Sequence, residues 1–395
     1  MDQMAVVDID PFSDESLLEP APFQLALRTA GEFVWISKYD VWASGRYQQV
    51  RDVLTNWSIF CSSGGVGLSN FHKEQPWRTP SLLLEHDPPD HTKYRTIFMR
   101  ALSPPIIQRL RAEFDREAKV QVERLLNMGS ADAIVELAER YPLKAFGDVV
   151  GLTTQDRQLL LTYGAISFNA LGPRNARFLD SMSEADSVSD WIAAQCARSS
   201  LSGGSLGAVF YEAADAGEIS EGEAAMLVRS FLSAGVDTTA RGLGAALHCF
   251  ALNPAQWKVL TRNPDLSKAA AEEAIRYSSP FQTVFRTATA EYIHKSGRIQ
   301  PGQKVFLSLG AANRDPLKWE RPEEFDITRK ATGQIGFGSG IHACAGQMIA
   351  RLEIEIVLGE LARQVSEIAL DGMVTYGLNN TVRGPSHLPL RLTGY

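Results

Sequence analysis

From about residue 90 to 280 the alternation of apolar and polar positions reads mostly as helix, broken at Pro104-Pro105, Gly172-Pro173 and Gly203-Gly204. The longest uninterrupted helical pattern runs from about Glu221 to Leu252. Ahead of this region, residues 32–60 mix β-branched and aromatic positions (Phe33-Val34-Trp35-Ile36, then Val41-Trp42-Ala43) with turn residues, which predicts a small hairpin followed by a helix. Strand-like, turn-rich sequence returns at about 283–310 and at Leu388-Pro389-Leu390-Arg391-Leu392. Residues 1–25 are dotted with prolines and are expected to run extended over the surface. The pattern predicts a mainly α protein with a minor β portion, without repeats or a long low-complexity linker. No apolar run approaches the ~18 residues that a membrane span needs.

Composition narrows the class. A hydrophobic content of 45% with 22% charged residues is that of an ordinary globular protein, long enough at 395 residues for two or three domains or one large core. The net charge of −7 argues against a nucleic-acid partner, whose phosphates attract basic surfaces. Cys61, Cys196, Cys249 and Cys344 show no paired spacing, which fits a reducing compartment. The N-terminal stretch is too short of apolar residues for a signal peptide and carries acid where base belongs, so a cytoplasmic location away from membranes is expected.

The chemistry concentrates in Phe337-Gly338-Ser339-Gly340-Ile341-His342-Ala343-Cys344-Ala345-Gly346, with an apolar stretch straight after it. The glycines permit backbone conformations closed to other residues and close approach to a flat group. A cysteine at the mouth of a helix sits among unpaired N–H groups, a setting expected to lower its pKa towards the metal-binding thiolate. Taken alone, such a cysteine is also compatible with a buried structural role.

The spacing Phe-x-x-Gly-x-x-x-Cys-x-Gly resembles the haem-ligand signature of cytochrome P450, the haem-thiolate monooxygenase family. That resemblance implies one domain over residues 1–395, a helix-rich part and a small β-rich part enclosing haem b. It makes Cys344 the axial ligand to the iron, with Phe337, Gly338, His342 and Gly346 around the cofactor and O2 as co-substrate. Within the long helical pattern, Ala234-Gly235-Val236-Asp237-Thr238-Thr239 adds a glycine that needs a packing or functional reason. Gly235 beside Ala234 leaves room for a flat cofactor, and a Thr hydroxyl bonding back to the preceding turn bends the helix and opens a groove. The plainer alternative is a closely packed helix with Asp237 paired to Arg241 at i,i+4. In the family, the acid–alcohol pair handles protons: Thr238 would hold dioxygen and its water, and Asp237 would relay protons from solvent.

Glu273 and Arg276, at i,i+3, resemble the family's structural Glu-Arg pair. Its third member is sought in the following meander, near Glu324, with Arg321 as a substitute. Haem carboxylates need cationic or hydrogen-bonding partners, and His91, Arg95, Arg286 and His342 match the family's positions for them.

Longer stretches resemble the soluble bacterial subgroup that oxidises para-substituted benzoic acids: Cys61-Ser62-Ser63, Gly65 to Ser69, Lys73 to Ser81, Leu227 to Thr239 and Gly336 to Glu353. The implied activity is O-demethylation or hydroxylation of an aromatic acid such as 4-methoxybenzoate or a bulkier methoxylated analogue. The implied carboxylate clamp is Arg78, Ser81 and Ser230, supported by Arg229, and an arginine fork suits a buried carboxylate. Ser230, Ser233 and Asp237 fall at i, i+3 and i+7, which would put anchor and proton relay on one helix stripe. The pocket walls would be Leu84, Phe168, Leu171, Phe281 and Val284. Leu171 and Val284 stand where the subgroup is expected to carry phenylalanine, which implies a roomier pocket. Electrons are expected from an iron-sulfur ferredoxin with an NAD(P)H-dependent reductase, docking near Lys93, Arg100 and Arg351. A peroxide-driven peroxygenase, or a non-catalytic haem gas sensor, would be expected to lack the Asp237-Thr238 pair.

Overall fold

The structure, a computed structural model, describes residues 4–395. Its centre is a layer of four packed helices. Helix Gln347–Gln364 buries most of its circumference, including Ile349, Leu352, Ile354, Ile356, Val357 and Leu358, and leaves Arg351, Glu355, Glu360 and Arg363 at least partly exposed. It packs on Pro104–Met128 on one side and on Ser267–Ser278 on another, and Asp237–Leu252 lies across Ser267–Ser278. Pro104 opens its helix, where a fixed φ and a missing N–H cost nothing. One continuous set of buried side chains, including Phe114, Phe250, Trp257 and Leu358, runs through these helices.

The predicted hairpin is Val34–Ile36 paired with Val41–Ser44, and the helix after it is Tyr47–Thr55. These strands belong to a five-stranded sheet in the order Val34–Ile36, Val41–Ser44, Lys304–Ser308, Thr283–Ala288, Phe60–Cys61. The pairing of Val41–Ser44 with Lys304–Ser308 is parallel and the others are antiparallel. The C-terminal strand Pro389–Gly394 lies between Ser130–Asp132 and Val365–Leu370. No helix among the described residues is long and apolar enough to cross a membrane.

Two expectations are corrected. Residues 1–3 lie outside the described residues; in the rest of the segment expected to be extended, Asp14–Leu18 and Ala21–Ala30 are helical, with Ser13 and Pro20 at their N-caps, while the stretch ahead of Asp14 is not. Phe12 and Phe23 hold this segment down, both buried and packed edge-on against Phe306 at 6.1 and 5.9 Å. The long helix is also interrupted, as Glu221–Ala234 and Asp237–Leu252. At the break, Thr238 Oγ1 donates to the Ala234 carbonyl at 2.7 Å and Thr239 Oγ1 to that of Gly235 at 3.0 Å. Side-chain hydroxyls thus bond to carbonyls at the point where the helix breaks, the bending expected of back-bonding threonines.

Candidate active site

The loop before Gln347–Gln364 is held by two left-handed glycines, Gly338 at φ 72° and Gly340 at φ 74°. A Cβ on Gly340 would stand 2.5 Å from the Leu54 carbonyl oxygen, so helix Tyr47–Thr55 fixes this turn from outside. Cys344 N–H donates to the Phe337 carbonyl at 2.8 Å, and the N–H groups of Gly346 and Gln347 point at the sulfur. The accessible surface of Cys344 faces an internal cavity, since protein surrounds the residue on every side. Burial therefore pushes the free thiol's pKa up, outweighing those N–H groups and the Arg95 and Arg351 charges. This corrects the expected lowering by the helix end. A coordinated metal would reverse it, because a ligating thiol is deprotonated outright.

The cavity runs from Cys344 past Ala234, Gly235, Thr238 and Thr239. Its far walls are Leu84, Phe168, Leu171, Phe281 and Val284, all as expected, with Phe168 and Phe281 edge-to-face at 5.8 Å. Ser81, Ser230 and Ser233 are the hydroxyls facing this apolar end. Ser230 Oγ donates to Met226 O at 3.1 Å. Ser81 Oγ accepts from Leu83 and Leu84 N–H, both at 3.3 Å, which leaves its own proton free.

At the other end, Arg95, Arg286 and His342 line the cavity, and His91 stands behind His342 with ring centroids 4.2 Å apart. Arg286 is buried, and among the described residues its side chain hydrogen-bonds only the adjacent Phe285 carbonyl, at 2.8 Å. Nε2 of both histidines is buried without a hydrogen-bond partner. His342 Nδ1 lies 3.1 Å from the Leu83 carbonyl and its Nε2 lies 3.6 Å from Asp87. Burial pushes Arg286 down to about 10, lowers Arg95, and holds His91 at about 4, helped by the charges of His342 and Arg95. Stripped of solvent and short of anions, these groups fit a flat cofactor bearing two carboxylates, which is what haem b presents. Asp87 was not legible from sequence. Although burial opposes its ionisation, contacts from His342, Ser62 and Ser63 keep its carboxyl well below the usual range.

Thr238 faces the cavity but Asp237 does not line it. Asp237 is buried and accepts two bonds from Arg241 Nε, at 3.0 and 3.2 Å. The break at Gly235-Val236 turns the stripe, so Ser230 and Ser233 share the cavity with Thr238 rather than with Asp237. Gly235 is small for the packing reason as well as the cofactor one. A Cβ there would meet Phe146 Cε1 at 2.2 Å, so the position makes room for a neighbouring ring as well as flanking the cavity.

Glu273 and Arg276 are both fully buried and paired at 2.7 and 2.8 Å. Their third partner is Arg329, with Nε 3.2 Å from Glu273, rather than Glu324 or Arg321. Glu324 contributes only its carbonyl, to Arg276 at 3.1 Å, while its carboxylate pairs with Arg321 at 2.7 Å. Arg78 does not line the cavity: its Nη1 donates to the Thr79 carbonyl at 3.0 Å and lies 3.5 Å from Glu85. Arg229 braces the same loop, donating to the Thr79 carbonyl at 2.9 Å. The expected docking cations are not free. Arg100 holds Glu218 at 2.6 and 2.8 Å, Lys93 is 3.9 Å from Glu223, and Arg351 pairs with Glu272 while covering Phe337. Sequence inspection also missed Glu353, fully buried with neither carboxyl oxygen hydrogen-bonded, whose pKa burial raises well above the usual range.

Comparison with known proteins agrees with this geometry. Residues 205–365 match the cytochrome P450 family. The chain is 46% identical over 386 residues to cytochrome P450 CYP199A2 of Rhodopseudomonas palustris, covering 98% of this chain and 94% of the relative. It is 28% identical over 413 residues to the beta-dihydromenaquinone-9 omega-hydroxylase of Mycobacterium tuberculosis, covering 99% of this chain and 79% of that one. The solved structure of cytochrome P450 CREJ superposes with a TM-score of 0.88 at 24% identity, covering 97% of this chain and 99% of that one.

Proposed function

The chain belongs to the cytochrome P450 family, and from that premise we propose that it oxidises an aromatic carboxylic acid at the substituent para to the carboxylate, by O-demethylation or hydroxylation. It is a haem b monooxygenase using O2, and we assign the thiolate ligand to Cys344 and the whole chain to one catalytic domain. When bound, thiolate-ligated haem supplies O–O cleavage, one oxygen atom entering the substrate and the other leaving as water with two electrons and two protons. Arg95, Arg286, His91 and His342 would neutralise the cofactor's carboxylates.

The observation that carries the substrate class is the polar end of the cavity. Ser81 and Ser230 face an otherwise apolar space lined by Phe168 and Phe281, and two arginines meet at the Thr79 carbonyl behind Ser81, Arg78 from the loop itself and Arg229 from helix Glu221–Ala234. Hydroxyl donors backed by positive charge suit a carboxylate, while the apolar walls suit a ring. Holding the acid at that end directs the para substituent towards Cys344, which is catalysis by positioning. The resemblance of Lys73 to Ser81 and Leu227 to Thr239 to the subgroup that oxidises para-substituted benzoic acids supports the same substrate class. Leu171 and Val284 leave more room than phenylalanines would, so bulkier methoxylated rings should be accepted.

Thr238 keeps its hydroxyl oxygen available to accept a bond in the cavity while its proton rests on Ala234 O. Asp237 would deliver protons by leaving Arg241 and turning towards the cavity. Electrons come from outside the chain, and we assign them to an iron-sulfur ferredoxin with its reductase. Titrating the holoprotein with substituted benzoates should produce a low- to high-spin shift that Arg78→Ala weakens. A shift with neutral aromatics alone would refute the substrate class.

A further inference from the structure

We propose that Glu85 is a resident counter-ion for Arg78, displaced when an aromatic carboxylate enters, and so limits how strongly the enzyme prefers acids; this rests on the aromatic-acid function above. Glu85 is buried, its side chain 2% exposed against 16% for that of Arg78. Its Oε2 accepts the Ser81 N–H at 2.6 Å and stands 3.5 Å from Arg78 Nη1. One carboxylate oxygen therefore touches two of the three members of the expected clamp, Arg78 by its side chain and Ser81 by its backbone N–H. The contact with Arg78 is at the long limit of a hydrogen bond, so it restrains the guanidinium without satisfying it.

Arg78 remains poorly used. Of five N–H donors in a guanidinium, Nη1 serves the Thr79 carbonyl at 3.0 Å, and Nε is buried with no hydrogen-bond partner. Arg229 adds a second charge, its pKa lowered by burial and then by Arg78 itself. Two guanidinium groups thus share the Thr79 carbonyl with one carboxylate, Glu85, beside them. The excess positive charge lies behind Ser81, whose free hydroxyl proton faces the cavity. An acid hydrogen-bonded to Ser81 competes with Glu85 for the same fork. A neutral ring of the same shape cannot release Arg78 and gains nothing from it. Glu85 acts through Arg78, which makes it a positioning residue.

The test is the ratio of affinities for 4-methoxybenzoate and 4-methoxybenzamide, read from spin-state titrations of the holoprotein. Glu85→Gln keeps an acceptor for the Ser81 N–H but removes the competing charge. Its Kd for the acid should fall about tenfold, the scale of one charge-assisted hydrogen bond, while that for the amide stays within about twofold. A ratio unchanged or shifted towards the amide overturns the role of Glu85. If Glu85→Gln does not yield folded haem protein, Glu85→Met, which also removes the charge at similar side-chain length, carries the same test with the same criterion. Absence of any response to benzoates in the unmutated protein overturns the aromatic-acid function, and this role with it.

Discussion

Substituting Gly235 by alanine separates two reasons for the glycine. Its φ of −80° and ψ of −25° are helical, so alanine by itself would gain about 0.5–1 kcal/mol in backbone entropy. The Phe146 ring stands in the way, with Cε1 at 2.2 Å and Cζ at 2.5 Å from the new Cβ. Those distances lie well inside van der Waals contact, and Phe146 is itself buried against Phe231 at 5.8 Å between centroids. Overpacking of that kind costs about 1–3 kcal/mol. Gly235→Ala should therefore lower the urea midpoint of the holoprotein. Phe146→Leu opens space at the same point. In the double variant the clash with the ring is relieved, while the contact of the new Cβ with the Phe231 carbonyl oxygen at 2.8 Å remains, giving a favourable coupling of about 1 kcal/mol or more in a double-mutant cycle. If Gly235→Ala is as harmful with Phe146→Leu as without it, and haem content falls equally in both, the glycine serves the cofactor face and the Phe146 explanation is wrong.

Other expectations follow from the same structure. Glu273→Gln leaves Arg276 buried with no anion beside it and should cost about 3–5 kcal/mol in denaturant unfolding, with faster haem loss. Arg329→Gln, at 3.2 Å on the outer side of Glu273, should cost less than Glu273→Gln in the same assay. Thr238→Ala should lower product formation on the order of a hundredfold while cofactor oxidation continues and peroxide accumulates. In haem-free protein, His91 has its folded pKa depressed to about 4 from 6.5. The unfolded chain then binds the extra proton first, so stability present above pH 6.5 is lost as pH falls towards 4, on the order of 3 kcal/mol at most. His91→Phe should flatten that slope in urea unfolding at a series of pH values.

The parts of this fold legible in sequence are those with local causes. The hairpin at Val34 and Val41, the helix start at Pro104 and the left-handed glycines beside Cys344 follow from residues close by in the chain. The bend at Thr238 was legible as back-bonding, while the ring that excludes a side chain at Gly235 was not, because Phe146 is distant in the chain. The N-terminal helices were missed because proline was read as extended chain, whereas Pro20 caps a helix and buried Phe12 and Phe23 anchor it. In the site, the family resemblance pointed to Arg95, Arg286 and His342, which line the cavity, and to Arg78, which does not, and it left out their partners. Arg329, Asp87 and Glu85 act on groups far along the chain or across a loop, and nothing in their local sequence marks them. The thiol of Cys344 shows the same limit: the helix end was visible, while the burial that outweighs it depends on the whole fold.

The most direct test of the central claim is turnover of 4-methoxybenzoate by the holoprotein supplied with a bacterial ferredoxin, its reductase and NADH. Expected are 4-hydroxybenzoate and formaldehyde in equal amounts, with little turnover of 4-methoxybenzamide. Turnover of the amide with none of the acid, under conditions where the reduced protein gives the carbon-monoxide spectrum of thiolate ligation, would contradict it.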